Sequence, residues 1–190
     1  MKMKIATAIM SATILMSNSA HADGWNVDVF AGKQQSDRLK WNGVDFNTDS
    51  GKSYGVGVSK QVTPRVGLGF EVGYTKNQYS NSRPNSISGR SLMLTAEYDF
   101  VQRRRFSFYG GLGLGVIKAK YSNASYQNSD SVTGGRVSLG MRYAVSPRTK
   151  LFLEARHIDT FKDPKIALSN SSAGAEYKGD SLLLGLRYSF

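Results

Sequence analysis

Leu182-Leu183-Leu184-Gly185-Leu186-Arg187-Tyr188-Ser189-Phe190 closes the chain, and its alternate residues differ in kind. Leu182, Leu184, Leu186, Tyr188 and Phe190 are apolar and end in two aromatics, whereas Gly185, Arg187 and Ser189 between them are small or charged. In a strand successive side chains point to opposite faces, so this stretch predicts a strand with one apolar and one polar-or-small face. Seven earlier stretches repeat the pattern: 25–31, 54–58, 66–74, 92–100, 106–116, 137–145 and 151–155. The intervening set includes Gly67, Gly69, Glu71 and Gly73, then Glu97 and Asp99, then Gly111, Gly113 and Gly115, then Gly140, Arg142, Glu154 and Arg156. No segment after residue 22 carries a helical period.

A soluble sandwich would bury the apolar face. Here that face is continuous over eight strands and aromatic at its ends, while the opposite face mixes glycine with charge. The solution that satisfies both is an all-β, eight-stranded, antiparallel up-and-down transmembrane barrel, apolar outward and polar toward a narrow lumen. Connections support it. Three are tight, Thr63-Pro64-Arg65, Gln102-Arg103-Arg104-Arg105 and Ser146-Pro147-Arg148-Thr149, and they alternate with four long polar ones at about 36–51, 77–89, 121–133 and 162–179. Short turns on one rim and long loops on the other is the asymmetry of outer-membrane barrels, whose long loops are extracellular and short turns periplasmic. The turns Val62-Thr63-Pro64-Arg65 and Val145-Ser146-Pro147-Arg148 echo each other, as a four-plus-four duplication or two independent proline turns would explain equally well.

Composition agrees. With no cysteine among 190 residues, disulfides and thiolate sites are excluded, and 20 glycines with 19 Phe and Tyr against four prolines suit a β-rich chain. Residues 1–22 read as a cleaved secretory signal: Lys2 and Lys4, an apolar run from Ile5 to Met16, then Ala20-His21-Ala22 before Asp23. The apolar run falls short of the roughly 20 residues a membrane helix needs. The barrel domain is therefore expected over 23–190. Cleavage would remove two lysines and no acid from a chain of formal charge +11, leaving a strongly basic protein suited to an anionic surface.

The C-terminal run resembles the recognition signal of bacterial outer-membrane barrels, with Leu186, Tyr188 and Phe190 as the assembly signal read by the barrel-assembly machinery. Phe108-Tyr109-Gly110-Gly111-Leu112-Gly113-Leu114-Gly115, Gly140-Met141-Arg142-Tyr143-Ala144-Val145-Ser146-Pro147 and Gly185-Leu186-Arg187-Tyr188-Ser189-Phe190 resemble the small eight-stranded outer-membrane barrels of the OmpA/OmpX and opacity-protein (Opa, NspA) type. The resemblance implies a Gram-negative cell outer membrane, a surface antigen whose loops carry any binding, and no periplasmic peptidoglycan-binding domain.

Candidate chemistry is sparse. Counted from the short-turn rim, Glu97, Arg142, Glu154 and Arg187 lie three or four residues in and are expected to form one ion-pair layer. Glu71 and Arg156 fall slightly higher. A structural plug is the expected role, since eight strands leave room only for side chains; a small gated pore is the alternative. Near the long-loop rim, Lys33, Lys52, Lys76, Arg90, Lys118, Lys120 and Arg136, with Lys162 and Lys178, are candidate contacts for lipopolysaccharide phosphates.

An enzyme is not expected. The lipid A deacylases among related barrels use a His-x-Ser pair, but here His157 is followed by Ile158 and Asp159, and His157 falls on the outward face. The single histidine after residue 22 leaves no metal set, Gly110–Gly115 lacks the helix and lysine of a phosphate-binding loop, and no cofactor is expected. Nucleic acid is excluded by location. The expectation is a monomeric, non-enzymatic surface protein that supports the envelope and presents four loops for adhesion, to a host or environmental ligand.

Overall fold

A computed structural model describes residues 24–35, 39–41, 44–46, 51–78, 86–123, 126–161, 165–168, 171–174 and 178–190. The predicted signal segment and Lys162 lie outside the described residues. Among the described residues twelve strands occur: β1 (Trp25–Gln35), β2 (Leu39–Trp41), β3 (Val44–Phe46), β4 (Gly51–Gln61), β5 (Val66–Gln78), β6 (Ser86–Gln102), β7 (Phe106–Asn123), β8 (Tyr126–Ala144), β9 (Thr149–Thr160), β10 (Lys165–Leu168), β11 (Ser171–Gly174) and β12 (Lys178–Ser189). Eight of them close in the order β1-β12-β9-β8-β7-β6-β5-β4, with β4 pairing back onto β1 and every ladder antiparallel. This is the predicted up-and-down barrel. The remaining four form two small hairpins, β2–β3 and β10–β11, inside two of the long connections.

Two expected loops are shorter than their sequence suggested. Most of 121–133 is ladder, and strand also takes in 77–78 and 86–89 of the other: β6 pairs with β7 up to Ser86 opposite Ser122, and β7 with β8 up to Asn123 opposite Tyr126. In sequence these stretches are mostly Ser, Asn, Gln and Asp, so the period-two contrast that marks a strand is lost although the hydrogen bonds continue.

The stagger of the ladders can be followed around the barrel. Leu139 on β8 lies opposite Ala155, then come Leu182, Lys33, Lys52, Lys76, Ser88 and Lys120, and the row returns to β8 at Ser129. It comes back ten residues from its start. For eight strands with spacings of about 4.8 Å between strands and 3.3 Å along them, that stagger tilts the strands by about 41°.

The faces are inverted relative to a soluble protein. Outward Leu139, Phe70 and Leu112 are 66%, 64% and 62% exposed, while inward Glu154, Arg142, Arg136 and Arg187 are 2–4% exposed. Lumen-facing aromatics fit over glycines on the adjacent strand. A Cβ at Gly140 would come within 2.4 Å of the Tyr109 ring, one at Gly185 within 2.2 Å of Phe152, and one at Gly55 within 2.5 Å of Phe30. The alternating glycines are therefore sockets for large neighbours in a lumen too narrow for two side chains abreast.

At the short-turn end, Thr63 Oγ1 accepts from the amides of Arg65 and Val66 at 3.3 and 3.0 Å, and Ser146 Oγ accepts from Arg148 and Thr149 at the same two distances. Both geometries follow from a hydroxyl before Pro-Arg. The chain closes where Phe190 donates its amide to the Trp25 carbonyl at 3.0 Å. Near the Gln102–Arg105 turn a bulge between Asp99 and Val101 leaves Phe100 unpaired and exposed on the outer wall.

Candidate functional site

Inside the barrel the charges form two linked layers. Nearer the short turns, Arg187 holds Asp28 through two hydrogen bonds, Nε at 2.7 Å and Nη2 at 2.6 Å, and its Nη2 also lies 2.9 Å from Glu97. Arg142 donates to Asp99 at 2.6 Å and to Glu97. One level up, Glu71 receives Arg136 and both terminal nitrogens of Arg156, the latter at 2.9 and 3.0 Å; Arg156 Nε also donates to Glu154 at 2.8 Å. Tyr109 joins the layers: its hydroxyl donates to Glu154 at 2.9 Å while the Arg142 guanidinium sits 3.5 Å from its ring centre.

Five carboxylates thus meet four guanidiniums, and Lys150, beside Arg187 in the β9–β12 ladder, adds a fifth cation. The lumen is close to neutral, as buried charge requires. Arg156–Glu71 and Arg187–Glu97 each join strands on opposite sides of the barrel. Above the upper layer the buried polar side chains are uncharged: Gln34, Ser53, Thr75, Thr160 and Ser181.

The six charged residues read from the sequence all enter this network, but not in the expected layering. Glu154 belongs with Glu71 and Arg156, not with Glu97, Arg142 and Arg187. Counting residues from the rim ignores the ten-residue stagger, which sets equal counts at different heights. Asp28, Asp99 and Tyr109 complete the network, and their parity alone places them on the lumen face.

Arg136 corrects an expectation. It was grouped with the outer basic residues, yet its side chain is 2% exposed and bound to Glu71. Its neighbours Val137 and Leu139 point outward, so alternation turns Arg136 inward.

The other six, Lys33, Lys52, Lys76, Arg90, Lys118 and Lys120, do stand on the outer face and are exposed. They occupy two adjacent rows over five neighbouring strands, Lys33–Lys52–Lys76–Ser88–Lys120 and Tyr54–Tyr74–Arg90–Lys118. The Tyr54 and Tyr74 rings touch, with centroids 5.1 Å apart. No acidic residue takes an outward position among the described residues of these strands. On the other side of the barrel the outward charges are mixed: Asp180 Oδ1 lies 2.7 Å from His157 Nδ1, and Lys178 is 3.6 Å from Asp159. His157 therefore faces outward with an acid partner. The opposite belt is aromatic, with Phe106 against Tyr143, Tyr188 against Phe190, and Lys60 over Trp25.

Solved structures share this architecture at low identity. Neisserial surface protein A is 20% identical with a TM-score of 0.62, covering 88% of this chain and 98% of its own. Ail, the attachment invasion locus protein of Yersinia pestis, is 18% identical with a TM-score of 0.53, covering 88% and 99%. A major outer membrane protein from Thermus thermophilus is 13% identical with a TM-score of 0.50, covering 90% and 100%. No curated protein sequence matches the chain significantly. The family model described as "Outer membrane protein beta-barrel domain" matches residues 5–190. A chain that turns its apolar face outward around eight closed strands, and that this model covers almost throughout, belongs to the outer-membrane β-barrel family.

Proposed function

We propose that this outer-membrane protein acts at its long-loop end, as a surface barrel that holds extracellular loops for adhesion while its lumen serves as a structural plug. The closed lumen carries the reading. Two charge layers cross a cavity that eight strands already make narrow, and opening a path would strand several desolvated charges at once. With transport opposed, the surfaces above the belt remain. The β6–β7 and β7–β8 ladders extend past the cationic rows through sequence rich in Ser and Asn that carries Tyr121 and Tyr126, and the sequence after β5 adds Tyr79, a composition suited to contact. Ail is named for attachment and invasion, and was crystallised with the heparin analogue sucrose octasulfate, so sulfated glycans belong among the ligands tried.

The test is whole-cell binding to matrix proteins, serum proteins and sulfated glycans. Cells would display the intact protein or one with 36–51 and 121–133 shortened, at equal surface levels. Binding that needs the intact loops supports the adhesive role. Equal binding, or none, refutes it. Planar-bilayer recording addresses the gated-pore alternative. The plug predicts silence, and steady conductance altered by Arg187→Gln would replace it with the pore.

A further inference from the structure

The short-turn rim carries charge of one sign. Arg65, Arg103, Arg104, Arg105 and Arg148 stand exposed on the three tight turns, and none of them enters the lumen network. The acids described at that end, Asp28, Glu97, Asp99 and Glu154, all belong to that network.

Two of the turns are tied into one. Gln102 donates its side-chain amide to the Pro64 carbonyl at 2.7 Å and to Asp99 Oδ2 at 3.2 Å, while the Arg65 carbonyl accepts the Asp99 amide at 2.8 Å. The Arg103 amide donates to the Phe106 carbonyl at 2.7 Å, which makes Arg104 and Arg105 the tip of a tight turn. Four arginines are thereby carried on fixed backbone within two neighbouring turns.

Their depth follows from the ladders. The Arg105 carbonyl accepts the Ala144 amide and the Arg148 carbonyl the Ser189 amide, each at 2.8 Å, so all three turns end on the same kind of rung. With rows that climb about 3 Å per strand and strands that rise about 2.5 Å per residue, Arg65, Arg105 and Arg148 fall within about 4 Å of one height. On the belt side of that level the wall is apolar. Val62 and Phe106 are exposed there, and the bulge leaves Phe100 and Val101 exposed together. An apolar wall that reaches the turns stays in hydrocarbon only if the turns sit at the membrane surface. The Phe106–Tyr143 pair beside Arg105 marks that interface. The guanidiniums therefore lie in the phosphate layer.

We propose that the β4–β5 and β6–β7 turns together bind one anionic phospholipid of the inner leaflet. Arg65, Arg103, Arg104 and Arg105 hold its phosphate, and its acyl chains lie on Val62, Phe100 and Val101. Guanidinium forks match phosphate oxygens in pairs. A zwitterionic head suits the site less, because its ammonium would stand among four cations with no outward Asp or Glu at this rim among the described residues. A soluble acidic partner would use the arginines but not the apolar wall that runs into them. The site rests on the sidedness taken above, with the long loops outside, and not on any ligand of those loops.

The test uses the whole barrel in detergent micelles, with phosphatidylglycerol or phosphatidylethanolamine of identical acyl chains, and reads retained lipid by native mass spectrometry. One phosphatidylglycerol is expected, held tighter than phosphatidylethanolamine by about tenfold or more. Arg103→Gln with Arg104→Gln should weaken its retention by about tenfold or more. Lys33→Gln with Lys52→Gln, an equal loss of charge at the other rim, should change it by less than about twofold. Gln102→Ala keeps every charge but unties the turns, and should weaken retention by about threefold or more. Excess inorganic phosphate, which has no chains, should not displace the lipid.

Heat-modifiable gel mobility confirms that each variant is folded. Equal retention of the two lipids overturns the site and leaves the arginines to a soluble acidic partner. Equal weakening by the two double substitutions overturns its placement at the short turns. Unchanged retention in Gln102→Ala overturns the joining of the two turns, and displacement by inorganic phosphate overturns the lipid as occupant. Each of these readouts is separate from loop binding, so this site and the adhesive reading can fail independently.

Discussion

Replacing Glu71 with alanine removes the carboxylate that receives three guanidinium hydrogen bonds, one from Arg136 and two from Arg156. At the 2.9 Å separation of Arg156 and Glu71, the attraction is about 6 kcal/mol at an effective dielectric of about 20. Most of that only offsets the cost of having taken the charges out of water. Truncation leaves the cations desolvated without their partner. Arg156 retains Glu154, but Arg136, at 2% side-chain exposure, has no second carboxylate among its ion pairs. The expected loss is about 3–5 kcal/mol, the range for breaking a buried pair from one side. Equilibrium urea unfolding in phospholipid vesicles, followed by tryptophan fluorescence and gel mobility, measures it. Removing both partners, Glu71→Ala with Arg136→Ala, should cost clearly less than the sum of the single losses, because no orphaned cation remains there. The loss should also change little between low and high salt, since the pair is shielded from solvent ions. A loss below about 1 kcal/mol that adds simply with Arg136→Ala would refute the reasoning: the lumen would then be hydrated and its charges merely solvated.

Gly140→Ala presses a methyl against the Tyr109 ring at 2.4 Å and should cost about 1–3 kcal/mol in the same assay, whereas Gly57→Ala, whose Cβ would meet nothing closer than 3.5 Å, should be near neutral. Tyr109→Phe keeps the ring under Arg142 but removes the donor to Glu154, for an expected loss of about 1–3 kcal/mol; no loss would mean Glu154 is satisfied without it. Leu139→Arg, set among the outward apolar residues, should cost about 2–4 kcal/mol in vesicles, while Ser129→Arg, ten residues along the same strand in the lysine row, should cost less than about 1. Similar costs at the two positions would contradict the placement of the membrane belt.

The strands were legible because the membrane reverses the usual contrast without erasing it. Phe70 outside and Glu71 inside are adjacent residues in wholly different media, so alternation marks every strand that crosses the belt. Beyond the belt that contrast vanishes, and for this reason Ser122 and Gln127, which face each other in a ladder, read as loop. The lumen was half legible. Parity assigns Asp28, Asp99, Tyr109 and Arg136 to the inner face, yet which charge meets which depends on the stagger, a property of the closed ring that no single strand contains. Glu71 finds Arg156 across 85 residues of chain, and no local pattern announces such a partner.

The bonds across the lumen also bear on the order in which the barrel can come together. Arg187 on the last strand grips Asp28 on the first and Glu97 on the far side, so these contacts exist only once β12 has met β1. A sheet of six or seven strands, uncurled at the bilayer surface, would turn the same arginines and carboxylates toward water or hydrocarbon with few mates. Water would tolerate this and hydrocarbon would not. The lumen charges therefore act as a latch on insertion, penalising an open sheet that sinks into the membrane early and releasing the penalty at the moment of closure.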